Sequence, residues 1–300
     1  MNKSSSATLV LAYAAMCLIW GSTWMAIKVG LRGAPPLTSI AVRMTIASAL
    51  VAIIVRVRRI PVPREARFVR LGIFLGLFHV VLPYTFVYYG EQRISSALAA
   101  VLYATLPLFV VVLARFALDN PFTARKLAGV AIGIAGVAVI FSDNLRVGRE
   151  QAAGTAMVMT SVAASAVGSV ATKKWARGYH PVASLLIPFT TAALLTAILA
   201  RFIEPGASLR FSGTTWASIC YLAAAGSVMA FALFFFVLQH LDVTVVSYQT
   251  FIIPVVAVLL GWAVLGESIS ARVGMGAALI LAGISLAIFL GPRRSVTARA

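Results

Sequence analysis

Residues 123–136 read TARKLAGVAIGIAG, and residues 270–283 read SARVGMGAALILAG. At this spacing of 147 positions Thr123-Ala124-Arg125 falls on Ser270-Ala271-Arg272, Gly129 on Gly276 and Gly136 on Gly283. Carried outward at the same offset, Pro107 falls on Pro254 and Gly21-Ser22 on Gly168-Ser169. Several matches at one offset in 300 residues mark an internal duplication. The chain divides into a first unit, 1–147, and a second, 148–300, which ends in a short tail after residue 292.

Both units are made of apolar helices. Hydrophobic residues form 61% of the chain where about 45–50% is usual, and charged residues 11% where about a quarter is usual. The charges are bunched, which leaves apolar runs that predict helices at 7–27, 36–55, 70–90, 94–116, 124–142, 153–172, 181–201, 213–238, 243–265 and 271–291. A helix needs about 20 apolar residues to cross ~30 Å of hydrocarbon. The expected fold is therefore all-α integral membrane, with ten transmembrane helices and no soluble domain. Five helices per unit is an odd number, so the second unit enters the bilayer from the face opposite to the first. The result is two inverted five-helix repeats, an architecture of secondary transporters whose substrate site lies near the midplane between the halves.

The net charge of +17 does not point to nucleic acid. A nucleic-acid binder gathers Lys and Arg on one solvated face. Here they sit in short loops between apolar runs, the pattern that orients membrane helices. With the N-terminus in the cytoplasm, 16 basic residues fall on the inside, 8 on the outside and Arg43 within a span. That bias places both termini in the cytoplasm. The first apolar run is long for a signal peptide and lacks a small-x-small cleavage site. Cys17 and Cys220 fall inside spans and carry no information on redox compartment.

The motifs also resemble the EamA-domain family of the drug/metabolite transporter superfamily. Trp20-Gly21-Ser22-Thr23-Trp24 with Lys28 is similar to that family's first helix, and Arg43 to an arginine of its second. The stretch from Pro107 through Arg125 to Gly136, and its copy from Pro254 through Glu267 and Arg272 to Gly283, resemble the ending of its repeat. The first copy departs from the pattern, with Asp119-Asn120-Pro121 where a glutamate is more typical. The resemblance implies ten helices and export of small metabolites, amino acids such as threonine and aromatic ones among them, from the bacterial inner membrane.

Polar side chains within spans face the bundle interior or a wet cavity. Gly72, Gly76, His79, Pro83, Phe86 and Gly90 recur at helical spacing and predict one stripe of the third helix, with His79 either a substrate or proton partner or a packed neutral side chain. Tyr103, and at the repeat offset Ser247 and Thr250, mark the fourth and ninth helices, where Pro107 and Pro254 predict paired kinks or carbonyls freed for ligands. Ser165 lies on the sixth helix, and Gln249 needs a partner. Trp20 belongs to the cavity, and Trp24 either to the cavity or to an interfacial belt. Tyr84, Tyr88 and Tyr89 read as belt residues. Arg43 either attracts a substrate carboxylate or ties helix two to helix-end carbonyls, its charge reaching toward the surface. Glu91 and Arg93 read as a surface pair or gate.

No Cys/His cluster, HExxH, GxSxG or phosphate loop occurs, so neither catalysis, metal nor cofactor is expected. With no acidic residue well inside a span, the cargo is expected to be neutral or zwitterionic rather than a cationic drug. The expected protein is an alternating-access exporter of such metabolites, working as a monomer or homodimer with the lipid bilayer and a small-molecule substrate as its partners. A multidrug exporter of the same family and a passive solute channel are the alternatives.

Overall fold

The computed structural model describes residues 6–117, 123–176, 178–207, 209, 211–241, 246 and 249–289. Ser247, Asp119-Asn120-Pro121 and the tail beyond 289 lie outside the described residues. Every element among the described residues is helical. In chain order these are α1 (Ser6–Gly30), α2 (Pro36–Val57), α3 (Ala66–Leu75), α4 (Leu82–Glu91), α5 (Ser96–Tyr103), α6 (Leu106–Ala117), α7 (Ala124–Val147) and α8 (Arg149–Trp175). They continue with α9 (Ala183–Ile203), α10 (Gly213–Tyr221), α11 (Ala230–His240), α12 (Gln249–Leu265) and α13 (Ala271–Ile284). Eight helical stretches are long and apolar enough to span a bilayer, and two shorter apolar ones cover 249–265 and 271–287.

Local chemistry sets the ends. Pro36 opens α2, where its missing N–H would have had no partner. Ser95, Ser212 and Ser270 accept the first free N–H groups of α5, α10 and α13. Thr123 does the same for α7 through the amide of Lys126, so the repeated Thr123/Ser270 is a repeated N-cap. Gly266, at φ 67°, makes the left-handed turn out of α12.

Two pairs of equivalent helices lie against one another and run antiparallel. A Cβ on Gly136 would stand 2.6 Å from the carbonyl oxygen of Gly276, and one on Gly129 2.5 Å from that of Gly283, so α7 and α13 touch backbone to backbone. Each glycine thus meets the counterpart of the other, as a two-fold axis between them requires. The pair α2 and α9 repeats the relation, with Thr38 bonded to Glu204 at one end and Ser48 to Thr190 further along. Between apolar helices in lipid there is no hydrophobic gain, so close approach through small residues supplies the attraction.

Two departures from regular helix shape the interior. Segments Gly76–Val81 and Leu222–Met229 are π-helical, at matching places in the two units. The extra residue shifts helix phase, so the expected stripe on the third helix does not lie on one face. Gly72 and Gly76 meet Ile187 and Thr191 of α9, whereas His79 meets Gly168 and Gly90 meets Gly154 and Val158, all on α8. The second departure is at Pro107, where a turn at Ala104–Thr105 separates α5 from α6. Its counterpart Pro254 lies inside α12, which continues through it.

Candidate functional site

Arg43 sits on the buried face of α2 and is 3% exposed. Its guanidinium is permanently charged. Nη1 donates to Tyr88 Oη at 3.1 Å, and Nε and Nη2 donate to Ser227 Oγ at 3.2 and 3.1 Å. Nη2 also reaches Tyr84 Oη at 3.4 Å, and the guanidinium carbon lies 4.5 Å from the centre of the Tyr84 ring. Ser227 is held in turn by donating to the Leu222 carbonyl inside the second π segment. The second unit thereby supplies an acceptor to a cation of the first. All of these partners are neutral. Arg93 forms an ion pair with Glu150, 3.0 Å apart.

This overturns two expectations. Arg43 neither reaches toward the surface nor bonds helix-end carbonyls, because hydroxyls from α4 and the second π segment meet it where it lies. Nor do Tyr84 and Tyr88 belong to an interfacial belt: Tyr88 is 1% exposed and Tyr84 covers Arg43, while the half-buried Tyr89 donates to Glu204.

Around this cation the seam between the units is aromatic and hydroxylic. Tyr103 and Ser165 share a hydrogen bond of 2.7 Å, and the Trp24 ring lies 5.3 Å from that of Tyr103. Trp24 is buried, which decides for the interior over the belt. Trp20 packs on Phe231 and Phe234 of α11, and Ser22 is bonded to Tyr221 at 2.6 Å. The His79 ring fills the space over Gly168, and its Nδ1 is buried without a hydrogen-bond partner. The Gln249 Oε1 is also buried and unpartnered, as are the hydroxyls of Thr85 and Ser161. Thr250 is half-buried on α12, and Pro83 is buried at the start of α4. Unsatisfied buried polar atoms are uncommon in native proteins, and here four of them sit on the membrane helices whose buried faces carry these aromatics.

At one end of the bundle the charges close ranks. The Glu204 carboxylate accepts the amides of Leu37 and Thr38, at 2.8 and 2.9 Å, and so caps α2 across the unit boundary. Glu267 accepts the amides of Ser96 and Ala97 and the Ser96 hydroxyl, which caps α5. Lys28 donates to the carbonyls of Glu91 and Ile94. The expected surface pair does not form: Glu91 is fully buried and Arg93 turns to Glu150 instead. Spacing alone missed Glu91 because the residue ends a helix, a position that ordinarily meets water.

A many-helix membrane protein whose two halves share a polar, aromatic seam belongs to the class of membrane transporters. This chain belongs to the EamA-like transporter family, whose model matches it twice, at residues 7–142 and 152–289. It is 25% identical to the Bacillus subtilis protein named Uncharacterized transporter YoaV, over 96% of this chain and 99% of that one. An uncharacterized transporter of Archaeoglobus fulgidus is 28% identical over 90% and 94%. A Salmonella typhimurium relative named "Probable amino-acid metabolite efflux pump" is 24% identical over 94% and 95%. A solved crystal structure has the same fold, with a TM-score of 0.67 at 23% identity, over 96% of this chain and all of that one.

Proposed function

We propose that the protein is a ten-span inner-membrane carrier built as two inverted five-helix repeats. It exports small neutral or zwitterionic metabolites by alternating access, amino acids and aromatic ones among them. The observation that carries this reading is Arg43, a buried cation with only neutral hydroxyl partners, beside the seam between the units. A charge in that setting costs several kcal/mol unless a counter-ion answers it, and a substrate carboxylate supplies one in bidentate form. Trp24, Tyr103 and Tyr84 offer faces for an apolar or aromatic side chain. His79, Ser161, Ser165 and Gln249 offer polar atoms for the rest of the molecule.

The antiparallel contacts of α7 with α13 and of α2 with α9 support the inverted arrangement. The loop charge bias supports cytoplasmic termini, which puts the Lys28–Glu91 end outside. Purified protein in proteoliposomes tests the reading with a panel of labelled amino acids. The expected result is saturable flux, accelerated by unlabelled substrate on the far side. Linear flux with no such acceleration would mark a channel, and no flux of any amino acid would remove the substrate assignment.

A further inference from the structure

Glu91 ends α4 at 0% exposure, and neither of its carboxylate oxygens has a hydrogen-bond partner. The charges whose fields reach it are Lys28 of α1 and Glu267 from the turn before α13, and both are engaged elsewhere. Lys28 bonds backbone carbonyls of the Glu91–Ile94 turn, and Glu267 holds the first amides of α5. Tyr88, one turn back, is held by Arg43, and Arg93 is paired with Glu150. From α8 the residues facing this end of α4 are Gly154, Met157 and Val158. One carboxylate is thus left without a partner while Lys28, Glu267, Arg43 and Arg93 are each held by other groups. At the repeat offset Leu238 stands for Glu91 and Trp175 for Lys28.

We propose that Glu91 is a proton-binding site linked to opening of this end of the bundle. With the 91–96 turn clamped, the carboxyl holds its proton. When the turn loosens, the O–H bond breaks, the proton passes to water, and the carboxylate pairs with the Lys28 ammonium as that leaves its carbonyls. A neutral carboxyl is tolerated in the closed wall, whereas an ionised one costs several kcal/mol there. Lower pH therefore favours the closed end and higher pH the open one. The site needs no substrate, and only its link to cargo movement rests on the carrier reading above.

Infrared spectroscopy of the purified full-length protein tests the site directly. At neutral pH the wild type should show the carbonyl stretch of a protonated carboxylic acid, which Glu91→Gln loses and Glu91→Asp keeps. Raising the pH until the band vanishes should speed hydrogen exchange of the 92–97 amides about tenfold beyond the intrinsic chemical rate. Glu91→Gln should show no such acceleration. If that variant does not fold, Glu91→Leu, with the side chain found at the equivalent position, replaces it. A wild type without the band, a band that survives in the variant, or the same acceleration in both proteins would overturn the proposal. The band present without amino-acid flux would remove the substrate assignment alone.

Discussion

Arg43 holds a permanent charge in a buried site where only the hydroxyls of Tyr84, Tyr88 and Ser227 answer it. Arg43→Gln should leave folding intact and cut amino-acid flux at least about tenfold, the scale of one lost charged contact. Arg43→Lys should not restore flux, because a single ammonium cannot replace a planar fork. Flux assays paired with thermal unfolding check both. That Arg43, Tyr103 and Ser165 turn inward was legible in the sequence, since polar groups within apolar spans must do so. What holds Arg43 was not. Tyr84 and Tyr88 lie near a helix end, where tyrosine ordinarily marks the membrane interface, and only the packing of α2 on α4 turns them inward. Glu91 escaped for a similar reason, because α8 and the Lys28 and Glu267 charges that surround this end of α4 are distant in sequence.

At the scale of elements, the duplicated glycines were the most readable feature, and they form the α7–α13 contact. A Cβ on Gly283 would meet the Gly129 carbonyl at 2.5 Å and the Gly133 amide at 2.7 Å. Gly283→Ala should therefore destabilise the protein by about 1–3 kcal/mol. Gly274→Ala, on the same helix with nothing within 4 Å, should cost nothing. Unfolding titrations in mild detergent separate the two. The π segments at 76–81 and 222–229 left no trace in the sequence, because a period of 3.6 residues tolerates one inserted residue without losing its apolar character. For that reason the glycine stripe of the third helix, continuous on paper, divides between α9 and α8. Pro107 follows a turn between α5 and α6, whereas Pro254 lies inside a continuous α12, so identical residues at equivalent positions sit in different local surroundings.

For the whole molecule the duplication is symmetric in its helices and asymmetric in its charges. Glu204, Glu267, Lys28 and Glu91 gather at one end, and their equivalents are Val57, Asn120, Trp175 and Leu238. One end is therefore fastened by carboxylate caps whose equivalent positions in the sequence, Val57 and Asn120, carry no charge. Loosening a cap should shift the population toward opening at that end. In a background lacking Cys17 and Cys220, Glu267→Gln should raise labelling of Ala99→Cys by a membrane-impermeant maleimide added outside, and unchanged labelling would mean that the cap does not restrain the end. The most direct measurement of the central claim, that a substrate carboxylate meets Arg43 beside the seam, is competition in counterflow. Labelled phenylalanine inside proteoliposomes is challenged with unlabelled phenylalanine or with its amide. The account predicts that the acid competes, that the amide does not, and that Arg43→Gln abolishes the difference. An amide that competes as well as the acid in the wild type would contradict it.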